Sequence, residues 1–110
     1  MVMKIENDDY CAYRNAISMW GCTKIQLKAV EELNELSIEL VRSLNGTGDY
    51  HKIIEEITDV MIMCEQIFVI FDDGTFRKEW DKKMQRFKNM LDKNKTEEME
   101  RCPAPQSTSP

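Results

Sequence analysis

The chain has 110 residues, 42% of them hydrophobic and 32% charged, with 20 acidic against 15 basic side chains and a formal charge of −5. That size suits one domain with a modest core, and the acidic excess argues against non-specific nucleic-acid binding, which needs clustered Lys and Arg. No apolar run approaches the ~20 residues of a membrane span, and the opening MVMKIENDDY lacks the apolar core of a secretion signal, so no membrane partner is expected and the cytoplasm is the expected compartment.

Val, Ile and Thr do not alternate with polar residues and turn signals are few, so helices are expected and strands are not. The first helix is expected from about Asn7 to Trp20, with Asn7 or Asp8 as its N-cap and Gly21 as its stop. The second runs from about Thr23 to Asn45 and closes at NGTG, residues 45–48. Asp49 is placed to cap a third helix that reaches Phe71 before DDG, and Thr75 to cap a fourth, FRKEWDKKMQRFKNMLDK, that extends to about Asn94. Residues 1–94 thus make one all-α domain. Residues 95–110 carry three prolines and little apolar content, so they are expected to be a disordered tail.

Leu33, Leu36, Leu40 and Leu44 form one stripe at helical spacing, and Ile53, Ile57, Val60, Cys64, Ile67 and Phe71 form another. Such stripes suit an antiparallel central helix pair joined by a short loop, within a four-helix bundle. Met61, Met63, Met84 and Met90 read as core filler. Cys11, Cys22, Cys64 and Cys102 show no metal-ligand spacing and read as free thiols. His51 stands alone and is given no chemistry.

The acids are the informative feature. Residues three apart on a helix are surface neighbours, so Glu32 pairs with Glu35, and Glu56 with Asp59. Glu32 lies about 100° from Leu33, at the edge of the leucine stripe. Four carboxylates converging between packed helices would repel strongly unless neutralised. Hard oxygen ligands are what Mg²⁺ and Mn²⁺ prefer, so the pattern points to a magnesium site. The plainer alternative is a solvated acidic face, screened by Lys28 and Lys52, each four residues before a glutamate.

EELNE at Glu31–Glu35, then 20 intervening residues, then EITD at Glu56–Asp59, resembles the EExxE…ExxD signature of the MazG-like all-α nucleoside triphosphate pyrophosphohydrolases. MWG at 19–21, DVMIMCEQIFVIF at 59–71 and KKMQRF at 82–87 agree with it, and the resemblance covers about residues 10–92. It is closest to the small stand-alone phage or bacterial type. The resemblance implies Mg²⁺-dependent cleavage of a nucleoside triphosphate to the monophosphate and pyrophosphate, with Mn²⁺ as a substitute. It implies Glu32, Glu35, Glu56 and Asp59 as metal ligands, with Glu32 and Glu31 as the catalytic acids, Glu31 either orienting or deprotonating the attacking water or supporting the ligands from behind. It also implies phosphate contacts from Lys83 and Arg86 on the last helix, and self-association to a dimer or tetramer. Trp20 is a candidate to stack on the base, and Gln26 or Asn34 to hydrogen-bond its edge.

Two rivals belong to other classes. A di-iron bundle needs Glu-x-x-His, but the residue three before His51 is Gly48. A non-catalytic helical adaptor would use the leucine stripes to dimerise or to grip a partner helix, and would need no metal.

Overall fold

The computed structural model describes residues 4–95, so the disordered tail expected over 95–110 lies, from residue 96 on, outside the described residues. The fold is all-α: α1 spans Asn7–Trp20, α2 Cys22–Leu44, α3 Tyr50–Phe71 and α4 Phe76–Lys93, with no strand among the described residues. None of these helices is long and apolar enough to cross a membrane.

Local chemistry accounts for the boundaries. Gly21 adopts φ 86, a left-handed value that a side chain would disfavour, and its N–H reaches Ile17 O at 2.9 Å while α2 starts at the next residue. Asp49 caps α3 as expected, its carboxylate accepting from the His51 N–H at 2.9 Å. One capping expectation changes: Glu6, not Asn7 or Asp8, stands at the N-cap of α1, without a side-chain cap bond. Thr75 stands at the N-cap of α4 as expected, but its side chain makes no cap bond, its hydroxyl donating to Asp73 Oδ1 at 2.6 Å instead. In the turn between α2 and α3, a Cβ at Gly48 would stand 2.7 Å from Ser43 Cα, so only glycine lets the chain double back there.

The chain divides into two compact units, one ending at Asp72 and the other starting at Asp73. In the first, α1, α2 and α3 pack together, with α2 and α3 making the main contact. These two run antiparallel: Ile25 shares a cluster with Met63, while Glu32, further along α2, meets Glu56, earlier in α3. The buried apolar core among the described residues is Ile25, Ala29 and Met63, flanked by Ala16, Ile17, Ile67 and Ile70. Tyr13 of α1 ties onto α3, its hydroxyl donating to Glu65 Oε1 at 2.7 Å.

The inward faces differ from the expected stripes. On α2 the buried or half-buried line is Ile25, Ala29, Glu32, Leu36, Glu39 and Ser43, and on α3 it is Ile53, Glu56, Val60, Met63, Ile67 and Ile70. Both lines advance by alternating steps of four and three, the spacing of two helices in continuous side-by-side contact. Of the expected leucine stripe only Leu36 turns partly inward; Leu33, Leu40 and Leu44 are exposed, as are Ile57, Cys64 and Phe71 of the α3 stripe. The reason lies at the Trp20 end, where small Ala29 lets α3 approach and Ile25 and Met63 interlock. Continuing that line along α2 brings Glu32 and Glu39 inward and leaves the leucines to one side.

The second unit contains α4, whose Phe76 and Trp80 rings lie 5.9 Å apart. Ion pairs at helical spacing, Arg77–Asp81 at 3.2 Å and Glu79–Lys82 at 3.5 Å, run along its surface.

Candidate functional site

Three of the predicted acids come together. Carboxylate oxygens of Glu32, Glu35 and Glu56 lie within 4.8 Å of one another, with Glu32 and Glu56 buried and Glu35 exposed. The inward lines of α2 and α3 place Glu32 against Glu56, and Glu35 stands one turn further along α2, so two helices supply the three groups.

The environment of each carboxylate is uneven. Glu32 Oε2 is 3.1 Å from Lys28 Nζ and Glu56 Oε2 is 3.6 Å from Lys52 Nζ. The other oxygen of each, Oε1, is buried and has no hydrogen-bond partner. A buried acceptor without a partner costs about 1–3 kcal/mol, so these two oxygens form an arrangement that invites a positively charged ligand. Glu35 reports the same crowding: repulsion from Glu32, then desolvation, then Glu56 raise its carboxyl above the ordinary value, and Lys28 offsets part of this. The Lys28 ammonium is held above its ordinary value, chiefly by its hydrogen bond to Glu32.

The donor set fits a hard divalent cation. It consists of carboxylate oxygens alone, with no sulfur or imidazole among the trio, which suits Mg²⁺ or Mn²⁺ and not a soft metal.

Asp59 is exposed on α3 and falls outside the trio. Glu31 is exposed beside the trio, 3.5 Å from Lys28 Nζ. Trp20 is half-exposed and lines a groove of ≈ 430 Å³ together with Lys24, Ile25, Lys28, Met63 and Gln66. Gln26 and Asn34 are exposed on α2 and do not line this groove. Lys83 and Arg86 are exposed on α4, in the second unit.

Some residues here carry no distinct signal in the sequence. Lys28 reads there as a screening charge, yet it pairs with Glu32 and lines the groove. Gln66 lines the groove and donates to Met63 Sδ at 3.4 Å. Glu39 is as buried as Glu56, at 6% exposure, and is neutralised by Arg42 Nη1 at 2.8 Å. The four-and-three spacing that runs from Ile25 through Ala29 and Glu32 to Glu39 was the signal that could have found it. No protein-family model, characterised protein or solved structure matches this chain.

Proposed function

We propose that this chain is a Mg²⁺- or Mn²⁺-dependent nucleoside triphosphate pyrophosphohydrolase, releasing the nucleoside monophosphate and pyrophosphate. The observation that carries the reading is the pair of buried, unpartnered Oε1 atoms of Glu32 and Glu56 beside Glu35. The likeness of EELNE and EITD to the MazG-like signature supports it.

In this reading Glu32, Glu35 and Glu56 would hold the cation, while Asp59, one turn beyond Glu56, stands exposed outside the trio. A cation there supplies neutralising charge for the phosphate oxygens and lowers the pKa of a coordinated water. Glu31 accepts the proton of the attacking water, whose oxygen joins one phosphorus of the α–β anhydride. The bond from that phosphorus to the bridging oxygen breaks, and the other half of the anhydride leaves with the electron pair, so the products are the monophosphate and pyrophosphate. Trp20, Ile25 and Met63 offer the apolar walls on which a nucleobase stacks, with Gln66 as a polar contact.

The thin core favours self-association. Leu33, Leu40 and Leu44 on α2 are exposed, Leu44 at 86%, and a second copy covering them would bury area that the single chain leaves open. The same surface supports a second reading, a helical adaptor that grips a partner and performs no chemistry.

A panel of the common ribo- and deoxyribonucleoside triphosphates, assayed for pyrophosphate, decides between the two. Release from at least one nucleotide, only with Mg²⁺ or Mn²⁺ present and abolished in Glu56→Ala with helical circular dichroism retained, is the expected result. Activity that persists in Glu56→Ala would mean the residues are wrong. No release from any nucleotide, together with no heat on Mg²⁺ titration, would favour the adaptor.

A further inference from the structure

Two lysines flank the trio in the same way from different helices. Lys28 on α2 and Lys52 on α3 each lie four residues before a buried glutamate and approach its Oε2, leaving its Oε1 unpartnered. Exposed lysine–glutamate pairs of this kind contribute little. Here the carboxylate ends are only 11% and 7% exposed, while the lysines are 56% and 48% exposed, so each ammonium stands at the boundary between a buried charge and solvent. An ammonium has three donors. Lys28 lies 3.1 Å from Glu32 and 3.5 Å from Glu31, while Lys52 stands 3.6 Å from Glu56 and 3.9 Å from Glu55, the latter two being ion pairs too long for hydrogen bonds. Neither arrangement uses all three, and both side chains keep access to water.

We infer that Lys28 and Lys52 are the phosphate-binding groups of this site, gripping a polyphosphate whose charge a divalent cation bridges to Glu32, Glu35 and Glu56. The inference rests on the reading of the trio as a divalent-cation site. The division of oxygens carries it. The inner Oε1 atoms are left for the cation, and the outer Oε2 atoms anchor two ammonium groups at the rim. A polyphosphate meets repulsion from these acids, and among the described residues Lys28 and Lys52 are the cations paired with Glu32 and Glu56. Their remaining N–H donors suit non-bridging phosphate oxygens, in charge-assisted hydrogen bonds. Lys28 also lines the Trp20 groove, so a ligand with its ring against Trp20 and Met63 would bring its phosphate end to this ammonium.

The lysines act on metal and phosphate with opposite sign, which makes the test specific. An ammonium beside the trio repels a divalent cation but attracts the phosphate chain. Calorimetric titration of the full chain with Mn²⁺ alone, and then with inorganic triphosphate at saturating Mn²⁺, reads both. For Lys28→Met and for Lys52→Met, triphosphate affinity is expected to fall about tenfold, the scale of one charge-assisted contact, while Mn²⁺ alone binds as tightly as before or tighter. Lys28→Arg keeps the charge and is expected to retain triphosphate binding, which separates lost contact from lost fold. Triphosphate affinity unchanged in both Met variants, with wild-type binding intact, would overturn the inference alone. Mn²⁺ binding that weakens in step with triphosphate would also overturn it, since the lysines would then merely brace the glutamates. A wild-type protein that takes up no Mn²⁺ would refute the cation site and the inference together.

Discussion

The two halves of the α2–α3 seam occupy one continuous helical line and carry opposite chemistry. Toward Trp20, Ile25 and Ala29 meet Met63, and α1 closes over them with Ala16 and Ile17. Toward the turn, the same positions hold Glu32 and Glu39 on α2 and Glu56 on α3, each no more than 8% exposed. Apolar residues at all of these sites would make a more stable pair, because burying a carboxylate costs solvation that its partners only partly return. Glu39 is answered by Arg42 at 2.8 Å. Glu32 and Glu56 are answered on one oxygen only. The contrast teaches that the Trp20 half holds the helices in register, and that the acidic half costs part of the stability an apolar seam would have.

The largest effect should come from converting the acidic half to the apolar kind. Glu56→Leu is expected to reduce metal-dependent pyrophosphate release by about 10²–10³-fold, as loss of a first metal ligand implies. The same change should raise the stability of the metal-free protein by about 1–2 kcal/mol in urea denaturation, since an unpaired buried oxygen is removed. Lowered stability alongside lost activity would mean that Glu56 is structural.

Next in size is damage to the apolar half. Ile25, at 2% exposure, is the most buried core side chain described, and Ile25→Ala is expected to cost about 2–4 kcal/mol in the same denaturation experiment. Mn²⁺ affinity should hold at temperatures where the variant stays folded. A loss of affinity without unfolding would show that the two halves are not separable.

A pH titration sharpens the comparison further. Glu35 is held above the ordinary carboxylate value in the folded chain, so the folded state binds more protons than the unfolded one between the two values. Stability without divalent ions should therefore fall as pH rises through that interval, starting from about pH 4.3, and level off above it. Mn²⁺ competes with the same proton, so its affinity should weaken as pH drops through the interval. Glu35→Gln should flatten both trends; trends that survive it would assign the repulsion elsewhere.

The smallest effect concerns the contact that pins α1 to α3. Burial and Glu65 push the Tyr13 phenol well above its usual value, so the folded chain keeps a proton that the unfolded chain releases above about pH 10. Stability from this group is present below that pH and lost as pH rises further. Tyr13→Phe should cost about 1 kcal/mol at neutral pH and reduce the alkaline loss, read by thermal melts at neutral and alkaline pH.

Helix number and boundaries were legible because their signals are local. Gly21, Asp49 and the Asp72–Gly74 stop act within a turn of where they stand, and the observed helix ends fall within about two residues of those expected. The inward face was not legible in the same way. Leu33, Leu40 and Leu44 outweigh Ala29 in apolar bulk, and bulk alone selects the wrong side of α2. The choice is made by fit between two helices, where a small residue counts for as much as a large one. Glu32, Glu35 and Glu56 were legible as a group because spacing of three on neighbouring helices survives a modest rotation. Asp59 did not join them, since that rotation turns it outward. The roles of Lys28 and Gln66 depend on which groove forms, and no pattern along one helix encodes that.

The most direct test of the central claim is anomalous diffraction from crystals of the full chain grown with Mn²⁺. The account predicts a peak at direct bonding distance from carboxylate oxygens of Glu32, Glu35 and Glu56. No peak there in crystals with Mn²⁺ bound at other carboxylates, or Lys28 and Lys52 closing over the trio to exclude the ion, would contradict it.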